Sequence, residues 1–329
     1  FRVTKAFHNA LQGRTYSLTK ADRTTYLAYN SLNARELSDT YDFIFVHDPQ
    51  PAALRHLRPN TKARWIWRCH IDTSNPNPEV WEFLKPFVDE FDAIVFTLRE
   101  FIPEGLDGRV VTILPAIDPL SPKNMNLTGD MSRYLLNWIG MRLNGPLICQ
   151  VSRFDPWKDP LGVIETYKLV KRERPDVNLA LVGSMALDDP EGWEMYGKII
   201  EAVHKDRDIH VFTNLVGVCD LQVNAFQRLS DVAIQKSIRE GFGLVVSETL
   251  WKETPMVAGD AGGIPVQMAG GGGFLIGSIE EAAMRVLELL SNPGMAKEEG
   301  KKGREYVRKN FLITRLLRDH LLLLSSISK

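Results

Sequence analysis

Short runs of β-branched and aromatic residues recur along this chain with amphipathic, helically spaced segments between them, and this alternation restricts the fold more than any other feature. It predicts an α/β class: parallel strands joined by helical crossovers, with both faces of each sheet covered. In the first half the predicted strands are Phe43 to His47, Arg64 to Cys69, Ala93 to Thr97 and Val110 to Leu114. In the second half they are Leu147 to Ser152, Asn178 to Val182, His210 to Thr213, Asp231 to Gln235, Pro255 to Ala258 and Gly273 to Ile276. Helical spacing is clearest over Pro160 to Arg174, Leu221 to Leu229, Ile279 to Leu290 and Arg304 to Leu324.

A length of 329 residues predicts two domains at roughly 150 residues each. The turn chemistry of Asn144-Gly145-Pro146, directly ahead of a buried strand, marks the expected boundary. The predicted organisation is thus residues 1–144, residues 145–303, and a final helix over 304–329 that either crosses back to the first domain or packs on the second. Residues 1–42 read as polar and partly helical. The chain opens on Phe-Arg-Val rather than Met, so a processed or partial form of something longer is expected.

Forty basic against 41 acidic side chains leave a net charge of −1. No global field recruits nucleic acid or an anionic membrane, and any phosphate site must be local. Cys69, Cys149 and Cys219 form no Cys-x-x-Cys pair, which favours a reducing compartment over a disulfide framework. The purely leucine stretch Leu321 to Leu324 is far below the roughly 20 apolar residues that span a bilayer, and no signal-peptide core opens the chain. A cytoplasmic protein without a membrane span is expected.

Eight of the 24 glycines fall between Gly259 and Gly277, a density that suits either close backbone approach to a ligand or a surface loop. The sharpest constellation precedes them. In Arg239-Glu240-Gly241-Phe242-Gly243-Leu244-Val245-Val246-Ser247-Glu248, two acids bracket a glycine-rich turn that leads from a strand into a helix. If Glu240 lies in the loop and Glu248 two turns into the helix, both can line one pocket, and the amides of Gly243 and Leu244 suit a phosphate. Glu248 can equally be a solvated helix residue. A second element, Ser152-Arg153-Phe154-Asp155-Pro156-Trp157-Lys158-Asp159, follows the first strand of the second half. Outside the carboxyl end of such a strand, Arg153 and Lys158 could clamp a pyrophosphate or simply be surface charge. In the first half, His47-Asp48 and His70 close successive strands, where a cap or a satisfied structural histidine is the plainer reading; Asp72 is weaker still.

The Glu-x7-Glu stretch from Glu240 to Glu248, preceded by Arg153-x4-Lys158, resembles the hallmark of retaining, GT-B-type glycosyltransferases of family four. The resemblance narrows to the trehalose glycosyltransferring synthase branch through His47-Asp48-Pro49-Gln50-Pro51-Ala52-Ala53-Leu54, Trp67-Arg68-Cys69-His70-Ile71-Asp72, Ser74-Asn75-Pro76-Asn77 and Trp81-Glu82-Phe83-Leu84. Asp188-Asp189-Pro190-Glu191-Gly192-Trp193 and Asn224-Ala225-Phe226-Gln227-Arg228 are similar to that branch as well. It implies two Rossmann-like domains facing a cleft, with Arg153 and Lys158 on the donor diphosphate, amides of Gly243 and Leu244 on the distal phosphate, and Glu248 on the ribose. Glu240 would sit beside the transferred sugar, His70 against the donor sugar, and His47, Asp48 and Asp72 on the acceptor or cleft side.

The implied reaction forms α,α-trehalose from a nucleoside-diphosphate glucose and glucose, with retention and with the reverse reaction accessible. Cations and helix amides would replace a metal, so no cofactor is implied and the nucleotide sugar is a substrate. Nucleotide sugar and glucose or trehalose are the implied partners, nucleic acid is not, and a homodimer stays open. Two departures stand out: Asp159 replaces the glycine that commonly follows the donor lysine, and no glycine-rich strand-to-helix loop precedes Phe43. The first rival is a trehalose phosphorylase on the same fold, the second a non-catalytic sugar-nucleotide-binding regulator. An NAD-dependent dehydrogenase is weak because no strand runs into Gly-x-Gly-x-x-Gly.

Overall fold

The computed structural model describes residues 2–38, 40–187, 189–203 and 206–328; Asp188, quoted in one motif above, lies outside them. The chain divides into two compact units, one formed by Phe1–Pro115 with Leu316–Lys329 and the other by Ala116–Arg315.

The first unit opens with helices α1 (Arg2–Leu11) and α2 (Lys20–Glu36), followed by β1 (Phe43–His47), α3 (Leu54–Leu57), β2 (Arg64–Arg68), α4 (Pro78–Val88), β3 (Ala93–Phe96) and β4 (Val110–Thr112). Its four strands are parallel in the order β1-β2-β3-β4. A parallel sheet needs apolar residues on both faces, and β2 and β3 comply: Trp65, Ile66, Trp67 and all of Ala93–Phe96 are buried. Caps set the helix starts. Thr19 and Asp22 form a reciprocal capping box for α2, while Asn77 accepts from the Val80 amide ahead of α4, with Pro78 in its first turn.

The second unit contains α5 (Gly129–Trp138), β5 (Leu147–Val151), α6 (Pro160–Glu173), β6 (Asn178–Gly183), α7 (Pro190–Val203), β7 (Ile209–Thr213), α8 (Asp220–Leu229), β8 (Val232–Gln235), α9 (Leu244–Leu250), β9 (Met256–Gly259), α10 (Ile264–Met268), β10 (Gly273–Ile276), α11 (Ile279–Ser291) and α12 (Pro293–Asn310). The parallel sheet runs β10-β9-β8-β5-β6-β7. The chain moves outward from β5 through β6 to β7, then returns to the other side of β5 with β8. The topology therefore switches direction between β5 and β8, and the loops leaving the carboxyl ends of these two strands diverge around a natural binding crevice.

All ten predicted strands are present, with ends shifted by at most two residues. Two expectations differ. The units part after Pro115, not after residue 144, because Leu136 and Met141 pack with Leu147, Cys149, Ala225 and Phe226 of the second unit. The single helix expected over Arg304 to Leu324 is two: α12 stops at Asn310 and α13 (Ile313–Ile327) begins after a break. The break is fixed by backbone pairing, since the Ile117 amide donates to the Phe311 carbonyl (2.8 Å) and the Ile313 amide to the Ile117 carbonyl (3.0 Å). From Leu316 onward the chain counts with the first unit, where Leu323 and Ile327 are buried among Ile66, Ala93, Val95 and Ile113.

Among the described residues, no helix is long and apolar enough to cross a membrane.

Candidate active site

Lys158 leaves the turn after β5 and Glu240 the loop after β8, so the switch point brings together residues far apart in sequence. Lys158 Nζ lies 2.5 Å from Glu240 Oε2, with side chains only 14% and 8% exposed. Ser237 Oγ donates to the same carboxylate oxygen at 3.1 Å, and the Gln235 amide donates to Ser237 Oγ at 3.0 Å. Behind Lys158, Gln150 Nε2 donates to its carbonyl at 2.8 Å. The cation and the acid are thus both backed by polar groups from their own strands.

Gly243 caps α9 with φ +77°, a left-handed conformation that favours glycine. A Cβ added there would lie 3.0 Å from Glu240 Cγ, so the glycine lets the α9 N-terminus stand directly beside the Glu240 carboxylate. The later glycines serve the same closeness. A Cβ on Gly262 would fall 1.7 Å from the Glu240 carbonyl oxygen, one on Gly263 2.6 Å from the Phe242 ring, and one on Gly259 2.3 Å from the Ser237 carbonyl. Three of the eight glycines in that stretch thus let the chain run against the Ser237–Gly243 loop, whereas Gly270, Gly272 and Gly273 stand close to Tyr306, Leu250 and Met256 instead.

Arg153 is more open, 60% exposed, and its Nη2 donates to Asp155 Oδ2 at 3.2 Å. Asp155 also accepts from the Trp157 amide, so it anchors Arg153 to the turn that carries Lys158. Asp159 turns away from that group: it caps α6 by accepting from the Gly162 amide at 3.0 Å, and it pairs with Lys236. Its carboxylate is accordingly committed, and the departure from glycine does not place a free anion against Lys158.

Glu248 sits little more than one turn into α9, not two, and faces a different cation. Its Oε1 is 3.6 Å from Lys123 Nζ. Lys252, one further turn along, is buried and donates to the Glu248 carbonyl at 2.7 Å and to Asn124 Oδ1 at 2.9 Å. Burial pushes its ammonium down to about 7, against the pull of Glu248. Sequence reading passed over Lys123, Lys252 and Ser237. The i, i+4 spacing of Glu248 and Lys252 was a legible signal, whereas Lys123 lies in a polar stretch without periodicity.

The first unit gathers His47, Asp48 and His70 where β1 and β2 end. His47 Nδ1 and His70 Nε2 share a hydrogen bond at 2.8 Å. Asp48, at φ +62°, accepts from the His70 amide at 2.8 Å, and its carbonyl accepts from Trp67 Nε1 at 2.9 Å. Burial raises the Asp48 carboxyl above its ordinary range. His70 is pushed down to about 4, chiefly by partial burial of its ring and then by the neighbouring charge of Arg68 and His47. Arg68 is buried beneath, donating to the Phe96 carbonyl and to Thr97 Oγ1. Asp72 is buried and accepts from both the amide and the hydroxyl of Ser74, the geometry of a turn cap. Among the described residues, no three His, Cys, Asp or Glu side chains are grouped to hold a metal ion.

Residues 1–103 match the trehalose synthase N-terminal domain family, and residues 139–306 match the group 1 glycosyl transferases. A trehalose synthase of Rubrobacter xylanophilus is 53% identical over 99% of this chain and 80% of its own length. This chain belongs to the trehalose synthase family. A second trehalose synthase, from Pyrococcus horikoshii, is 47% identical with the same coverage. Among solved structures, an α,α-trehalose 6-phosphate synthase from Burkholderia multivorans superposes with a TM-score of 0.77 over 99% of this chain and 83% of its own, at 17% identity. That likeness gives this chain a GT-B fold, with two Rossmann-like sheet and helix domains.

Proposed function

We propose that this chain is a retaining glucosyltransferase that forms α,α-trehalose from a nucleoside-diphosphate glucose and glucose. The observation that carries the reading is 53% identity to a trehalose synthase along 99% of the chain.

On the donor side, we assign Lys158 and Arg153 to the diphosphate and the amides of Gly243 and Leu244 to its distal phosphate. The leaving group gathers negative charge as the sugar departs, and prearranged cations and amide dipoles favour that state over the bound substrate. Glu240, held by Lys158 and Ser237, is assigned to orient the glucose beside its reacting carbon. The bond from C1 to the phosphate oxygen breaks, and the acceptor oxygen bonds C1 on the same face. The acceptor proton passes to the departing phosphate, so configuration is retained without an enzymic nucleophile.

His70 is assigned to the donor sugar. Its depressed basicity keeps it neutral near pH 7, which suits a hydrogen-bonding role rather than a charged one. His47 and Asp48 are assigned to sugar recognition next to it. Asp72 supports the loop that follows β2. The sugar nucleotide is a substrate, and the cations named here would do the work of a metal. Free thiols at Cys69, Cys149 and Cys219 support a reducing, cytoplasmic setting.

The test is a product assay across uridine, adenosine and guanosine diphosphate glucoses with free glucose, reading the anomeric configuration by NMR. Formation of α,α-trehalose is expected. Release of glucose 1-phosphate from trehalose and phosphate, with none of the nucleoside diphosphates supporting turnover, would make it a phosphorylase instead. Calorimetric binding of a nucleoside diphosphate without product would mark a regulator.

A further inference from the structure

The motif Asn224 to Arg228, unexplained by the donor and acceptor assignments, grips a loop. Asn224, fully buried on α8, donates to the carbonyls of Pro122 and Met125, both at 2.9 Å. Arg228 donates to the Met125 carbonyl and to Asn224 Oδ1, again at 2.9 Å. From the other side, Lys252 holds the buried Asn124, whose own amide donates to the Asp118 carbonyl at 3.1 Å. The residues flanking Lys123 are therefore fixed by α8 on one side and the turn after α9 on the other. Lys123 itself is 35% exposed, 3.6 Å from Glu248 Oε1 and 3.8 Å from Asp220 Oδ1.

We propose that Lys123 is a specificity-determining residue of the donor site: it holds the Glu248 carboxylate in the pose that accepts both vicinal hydroxyls of the donor ribose. This rests on the ribose role that the family resemblance implies for Glu248, which we adopt as part of the proposed donor site. At 3.6 Å the ammonium attracts the carboxylate without occupying it in a close hydrogen bond, so lone pairs on the oxygens stay open to the diol. A loop clamped on both flanks keeps that attraction in place before the nucleotide arrives, which spares the ordering cost on binding. Asn224, Arg228 and Lys252 act through the loop as positioning residues.

The experiment compares wild type, Lys123→Met, Lys123→Arg, Glu248→Gln and the Lys123→Met/Glu248→Gln pair. Each is assayed with a nucleoside-diphosphate glucose and with its 2′-deoxy and 3′-deoxy forms. Lys123→Met is expected to raise the donor KM about tenfold, equivalent to ~1.4 kcal/mol, with the glucose KM held and the effect far smaller in kcat. Its loss should shrink for the deoxy donors, Lys123→Arg should recover most of the affinity, and the double variant should bind no worse than Glu248→Gln alone.

An unchanged donor KM in Lys123→Met overturns the proposal. So does an equal loss for ribose and deoxyribose donors, or losses that multiply in the double variant. If Glu248→Gln leaves the donor KM unchanged while wild type makes trehalose, the ribose assignment and this proposal both fall and the overall function stands. If wild type makes no trehalose from any donor, the function itself fails.

Discussion

Lys158 and Glu240 stand 82 residues apart in sequence, yet their charged ends meet at 2.5 Å because β5 and β8 are neighbours with loops leaving the same edge of the sheet. An ion pair this enclosed loses the hydration of both partners, so either charge left alone is costly. Lys158→Met and Glu240→Gln are each expected to lower unfolding stability by about 3 kcal/mol, and the double variant by clearly less than the sum. Denaturant titration checks this; losses that add to within about 0.5 kcal/mol would mean the pair is not coupled. Lys158→Met should also cut kcat by roughly 10²–10³ if its ammonium faces the leaving diphosphate.

Gly262 sets the path of the backbone at Glu240. With φ +52° and a hypothetical Cβ 1.7 Å from the Glu240 carbonyl oxygen, Gly262→Ala must displace one of the two segments. Transfer activity is expected to fall sharply together with thermal stability. Gly294→Ala is the comparison, since nothing lies within 4 Å of its added methyl and it sits in α12. That variant should gain up to about 1 kcal/mol from helix propensity. Equal behaviour of the two in melting and turnover would contradict the steric account.

Asp159 combines a left-handed backbone, φ +46°, with a cap on α6 and an ion pair to Lys236. Removing the side chain to alanine loses the cap and keeps the strain, whereas glycine loses the cap and relieves the strain. Asp159→Ala is expected to cost about 1–2 kcal/mol and Asp159→Gly less. Thermal melts that rank glycine below alanine would refute the trade.

His70 carries a pH signature. Its folded-state basicity, near 4, lies below the ordinary histidine value of 6.5. The unfolded chain therefore takes up a proton as pH falls through about 6.5 that the folded protein refuses until about 4. His70 thus contributes a loss of stability on acidification across that window, and none of it above pH 7. An NMR titration of the His70 ring should give a midpoint far below 6.5, and His70→Gln should be less sensitive to acid between pH 6.5 and 4. A midpoint at the ordinary value would show that the ring is not desolvated.

Much of this was legible in the linear chain. Strand positions follow from local composition, because a strand buried on both faces must be apolar along its length, and Ala93–Phe96 or Asn178–Gly183 announce themselves that way. The glycine turn at Gly243 was legible for a similar reason, since a left-handed residue at a helix start leaves few alternatives. Helix continuity was not: nothing local in Arg304 to Leu324 marks the stop at Asn310, which depends on Ile117 pairing with Phe311 and Ile313 from nearly two hundred residues away. The domain limit failed likewise, as Asn144-Gly145-Pro146 is only a bend ahead of β5, and its place within one unit is decided by α5 packing on α8.

Sequence by itself fixed the parallel α/β character and the types of residue at the site, because hydrophobic burial and backbone permissiveness are properties of short segments. Which cation meets which acid was decided only in three dimensions. Lys158 with Glu240, Lys236 with Asp159 and Lys123 with Glu248 are pairings made by strand order and helix packing, and Coulomb attraction acts through space rather than along the chain.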